Sequence, residues 1–151
     1  SAFTQPKVFS IAAGFVLNTD LQRLLSGDAP DPEAVDTLLE EARQIGVALD
    51  TDTLEFALRR NLEHMSRALR ETPLDLDQLQ RLRTWTGIVH RVPFDVNLFV
   101  VQNIGWELTR DVYPGLAEQA DNGDRDAAAA ADHYRALAVE LFHFQPLRGT
   151  S

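Results

Sequence analysis

With 151 residues, 44% of them hydrophobic, the chain carries enough apolar material for one domain with a sizeable core. A formal charge of -9, with no cluster of Lys or Arg to offset it, argues against nucleic acid and anionic membrane surfaces as partners. The lack of cysteine excludes disulfides and thiolate chemistry, and no apolar run approaches the roughly 20 residues of a membrane span, so a soluble, cytoplasmic protein is expected.

Residues 1–10 lack the basic start and apolar core of a signal peptide, and Ser1 in place of an initiating Met suggests a piece of a longer chain. Arg replaces Lys almost throughout, Lys7 being the sole exception, which resembles the usage of GC-rich bacterial genomes. A first helix is expected from Pro6, which suits a first helical turn, to a stop at Gly27. Its apolar side is Ile11, Phe15, Leu17, Leu21, Leu24 and Leu25. Asp31 then reads as an N-cap, with Pro32 at the first helical position, Glu33 and Asp36 near the positive end of the dipole, and Gly46 just past the end. The buried face of this second helix is Val35, Leu38, Leu39, Ala42 and Ile45.

Residues 50–53 announce a third helix that runs to about Glu71, turns Leu54, Leu58, Leu62, Met65 and Leu69 inward, and is closed by Pro73. On its outer side Glu55, Arg59, Glu63 and Arg67 alternate in sign every four residues, the pattern of a solvated face. A fourth helix begins at Asp75 or Asp77, buries Leu79, Leu82 and Val89, and ends at the Val92-Pro93 step. Asp95 is the expected cap of a fifth helix that reaches about Val112, where Tyr113, Pro114 and Gly115 break or kink it.

The segment 94–108, FDVNLFVVQNIGWEL, is apolar on every side: Val101, Ile104 and Leu108 form one row, and Phe99, Asn103 and Trp106 another. Such a helix needs neighbours on two faces. Asn97, Gln102 and Asn103 lie within it. A buried amide without a partner costs about 1–3 kcal/mol, so each has to meet protein atoms, water, another domain or a ligand. Glu107, beside Trp106, reads either as a functional carboxylate or as half of an ion pair with Arg110 or a neighbouring helix. Residues 116–120 add a short helical turn and 121–124, DNGD, form a loop. A last helix then starts in the Ala-rich run 127–131, with Tyr134, Leu137, Leu141 and Phe144 at helical spacing. The expected class is all-α: a single domain over residues 1–151, about six helices, mostly antiparallel neighbours, packed around a central apolar helix near residues 95–112.

Chemistry is harder to place. His64, His90, His133 and His143 form no i, i+4 pair. Glu140 and His143 make one Glu-x-x-His, a unit that di-iron bundles use twice, so no metal and no cofactor is expected. There is no Gly-x-Ser-x-Gly elbow and no glycine-rich phosphate loop after a strand, and no catalytic residue is assigned. Paired carboxylates can still meet in space among 23 acidic residues. Gly14 and Gly105 interrupt good helices at a cost of about 1 kcal/mol each relative to Ala, which points to close helix approach. Trp85, Trp106 and Tyr134 sit at core spacing, with stacking on a sugar as the alternative. The candidates for a ligand or an interface are Asn97, Gln102, Asn103, Trp106 and Glu107.

Three phrases, residues 13–25 (AGFVLNTDLQRLL), 38–50 (LLEEARQIGVALD) and 93–103 (PFDVNLFVVQN), resemble the helical C-terminal region that follows the catalytic barrel in large bacterial family-57-type glycoside hydrolases. They carry a Leu-Asn helix, a Gly-then-Leu-Asp junction, and an Asn-Leu-aromatic step before Gln-Asn, with Phe99 where that family is expected to hold Trp. In such enzymes the acidic catalytic residues belong to the upstream barrel, so the resemblance implies a non-catalytic accessory domain. Its partner would be the upstream catalytic domain of the same chain, or another copy of itself. Two other readings stay open. One is a free-standing interaction or oligomerisation module; the other is a small-molecule-binding bundle or enzyme using Glu107, Asn103 and Trp106 around a cavity. An accessory domain predicts an exposed apolar face, and an enzyme predicts a pocket with convergent polar groups.

Overall fold

The computed structural model describes residues 5–142, among which there are six helices and no strand. They are α1 (Gln5–Ser26), α2 (Pro32–Ile45), α3 (Thr51–Glu71), α4 (Leu76–Val89), α5 (Phe99–Asp121) and α6 (Arg125–Phe142). The protein is all-α, as its periodicity predicts; His143 and Phe144 lie outside the described residues. Two compact units form, Ser1–Asn61 with Ile88–Val96, and Leu62–Gly87 with Asn97–Ser151, the divisions falling inside α3 and α4.

In the first unit the start of α2 follows from its residue types. The Asp31 carboxylate accepts the N–H of Ala34 at 3.0 Å and Pro32 fills the first turn. Gly46, at φ 82°, takes the left-handed conformation that lets its N–H reach the carbonyl of Ala42. Leu17, Leu21 and Leu25 of α1 are buried, as are Val35 and Ala42 of α2, Leu54, Ala57 and Leu58 of α3, and Ile88 and Val92. Two asparagines fasten the connections. Asn18 donates to the carbonyls of Gly14 (2.9 Å) and Ala48 (3.1 Å) and accepts the N–H of Asp50 (2.7 Å). Asn61 donates to the carbonyls of Leu25 (3.0 Å) and Gly27 (2.8 Å), which satisfies the end of α1.

In the second unit α5 and α6 form a helical hairpin around a short loop in which Gly123 is left-handed and the Asp124 carboxylate caps α6 through the N–H of Ala127 (3.0 Å). Their interface holds Val101, Ile104, Leu108, Tyr134, Leu137 and Leu141, all buried. Gly105 is there for close approach: a Cβ at that position would lie 2.9 Å from Cδ1 of Leu141. Trp85 is wholly buried in α4, so it belongs to the core and is closed to stacking on a sugar.

Several expectations need correction. Asp95 does not cap α5, which starts at Phe99; residues 95–98 are irregular, and the Asn97 side chain accepts the Phe99 N–H at 3.0 Å. Nor does α5 end near Val112. Pro114 sits inside it, and although it removes a main-chain hydrogen bond, Leu116 is buried beyond it and Arg135 of α6 donates to the Tyr113 hydroxyl at 2.8 Å. Burial past the proline outweighs the lost bond. Ile11 and Phe15 of α1 and Ile45 of α2, assigned to buried faces, are exposed, because α1 meets its neighbours through the row from Leu17 to Leu25.

Candidate interaction surfaces

Of the side chains singled out in α5, three are absorbed by the fold. Asn97 serves the first turn of the helix. Gln102 is buried, and its amide donates to the main-chain oxygen of Leu141 at 2.7 Å, so it finds a partner in the main chain of α6. Glu107 faces Arg70 of α3 in a two-pronged ion pair, 3.0 Å and 3.2 Å, with both side chains about two-fifths exposed. This is the neighbouring-helix partner that the sequence left open. Arg110 turns instead to Asp111, whose carboxyl it holds below the usual carboxylate range.

The other two lie on the surface. Phe99 and Trp106 are 65% and 57% exposed, and Asn103 between them is exposed as well. The second apolar row of α5 therefore faces outward, contrary to the expectation that both faces would be covered. At spacings of four and three residues the three side chains share one stripe, and Phe142 of α6 adds an edge-on ring 6.5 Å from that of Trp106. No polar ligand site converges here. The narrow space between α3, α5 and α6 measures about 10 Å³, room for one water molecule. It is lined by side chains such as Leu69, Ile104 and Leu137, and none of Asn103, Trp106 or Glu107 reaches it.

A second group of exposed apolar side chains lies on α1. Phe9, Ile11, Phe15 and Val16 are 66%, 70%, 75% and 53% exposed, and residues 8–19 contain no charged side chain. The charge-free run was visible in the sequence; which of its apolar residues find partners was not. In the same unit a groove of about 570 Å³ runs between α2 and the 91–93 segment, floored by Leu39, Ala42, Val47 and Leu49. Its rim carries two ion pairs, Arg91 with Asp36 and Arg43 with Glu40, and the Arg43 guanidinium holds the Glu40 carboxyl below its usual range. Each rim charge is matched by its neighbour. Among the described residues no three His, Asp or Glu side chains come together as a metal site, and no helix is long and apolar enough to cross a membrane.

Comparisons of the chain with models of known protein families, with curated proteins and with solved structures find no match.

Proposed function

We propose that this chain is a non-catalytic accessory module that docks onto a neighbouring protein domain through the exposed apolar side chains that α1 carries over residues 9–16. The observation that carries this reading is the exposure of Phe9, Ile11, Phe15 and Val16 within eight residues of a charge-free stretch of α1. Scattered exposed apolar residues are ordinary, but four large ones on a single stretch mark a surface that gains by being covered. The neighbouring domain is the catalytic barrel of a glycoside hydrolase in the same polypeptide, in keeping with the resemblance of residues 13–25, 38–50 and 93–103. Covalent attachment suits such a face, because a tethered partner is present at an effective concentration of about millimolar and a modest contact area then suffices.

Amide hydrogen exchange tests the proposal by comparing residues 9–16 in the natural full-length gene product with the same residues in this chain alone. Stronger protection and lower side-chain accessibility in the full-length product are expected. Equal behaviour in the two, or a gene product with no adjoining domain, removes the reading. A second reading, self-association through Phe99, Asn103 and Trp106, draws on the outward row of α5; it predicts a dimer that Trp106→Asp dissociates.

A further inference from the structure

Within the second unit, α4 and α6 are joined by polar side chains of a different kind from the core around them. Arg83 of α4 places Nη1 3.1 Å from Nδ1 of His133 on α6, and one turn further along α4 the Thr86 hydroxyl donates to the Glu140 carboxylate. A guanidinium only donates hydrogen bonds, so His133 is the acceptor and its Nδ1 carries no proton. Arg83 Nε is buried without a hydrogen-bond partner, which makes the His133 contact the one polar link of this cation to α6 among the described residues.

We propose that the Arg83–His133 contact is an acid-released latch between α4 and α6, closed while the imidazole is neutral and opened when Nδ1 takes up a proton. Protonation removes the lone pair that accepts the hydrogen bond and sets two cations against each other. Partial burial, and after it the Arg83 charge, hold the imidazole below its ordinary value of 6.5.

The groups around His133 leave Arg83 as the charge that acts on it. On α4, Asp77 and Arg81 are exposed. On α6, Asp132 holds Arg135 and Glu140 holds Thr86. On α5, Glu107 is taken by Arg70 and Arg110 by Asp111; on α3, Glu63 pairs with Arg67. Among the described residues no carboxylate is paired with the His133 imidazole. Because the folded pKa is depressed, the contribution of the latch to stability is present above the unfolded value of 6.5 and is lost as pH falls below it.

The test uses Trp106→Phe, which leaves the buried Trp85, two residues from Arg83, as the one tryptophan of the chain. Its emission, and amide exchange in α4 and α6, are followed from about pH 7.5 to about pH 5 alongside the NMR titration of His133. The expected result is one shared midpoint below 6.5. His133→Gln, whose amide oxygen still accepts from Arg83, abolishes the response, and Arg83→Met moves the His133 midpoint upward. A His133 that titrates at 6.5 or above, or a Trp85 response that persists unchanged in H133Q, overturns the latch.

Discussion

The amide of Gln102 donates to the main-chain oxygen of Leu141, so a side chain buried in α5 is tied to the main chain of α6. Replacing it with Leu keeps the volume and strips the donor from a buried acceptor, at a cost of about 1–3 kcal/mol. Chemical denaturation of Gln102→Leu should show a lower midpoint with an unchanged slope. Stability equal to that of the parent would show that the Leu141 carbonyl is served by something else.

Asn103 is the contrast. The sequence places it beside Gln102 in an apolar helix, yet it is exposed. Asn103→Leu is therefore expected to change stability by no more than about 0.5 kcal/mol, in the same denaturation assay. A loss comparable to that of the Gln102 variant would place its amide inside the protein.

Gly105→Ala sets two effects against each other. The helix gains about 1 kcal/mol from the better helix former, but overpacking a filled interface costs about 1–3 kcal/mol. With Cδ1 of the buried Leu141 only 2.9 Å from the new methyl group, that side chain has to shift, and Gly105→Ala melts below a glycine-to-alanine change that has free space around it. Gly87→Ala in α4 is the matched control, since a Cβ there meets nothing within 4 Å. That variant should be at least as stable as the parent, and a drop in both would mean that packing at Gly105 is not the cause.

Tyr134 gives stability a dependence on alkaline pH. Burial pushes its phenol from 10.0 up to about 12, and the hydroxyl donates to the carbonyl of Pro73 at 2.5 Å. The unfolded chain loses this proton first. The stabilisation is thus complete below pH 10 and drains away as pH rises toward 12. Tyr134→Phe should be less stable than the parent by about 1 kcal/mol near neutrality. The gap should close or reverse at high pH, which thermal melts across that range would reveal; a constant gap would contradict the raised phenol.

Punctuation made most of the fold legible. Asp31, Pro32 and Gly46 bracket α2 as their chemistry requires, and Gly27 and Pro73 mark the ends of α1 and α3. The row Val101, Ile104 and Leu108 is buried, as its spacing predicts. What periodicity does not contain is whether a neighbour exists to cover a given face. Ile11 and Phe15 carry the same apolar signal as Leu17 and Leu21, and only the latter pair is enclosed. Pro114 misleads for a related reason: a local helix breaker is overridden by packing that lies further along the chain. The Glu107–Arg70 pair joins residues 37 positions apart, a separation at which no spacing rule operates.

One side chain in the first unit acts as a ruler. Asn18 engages Gly14, Ala48 and Asp50 together, so the five residues between α2 and α3 are measured against α1 instead of hanging free. Their identities can drift as long as their number does not: one residue added or deleted there breaks the match at two main-chain positions at once. The junction is short because its length is the information it carries.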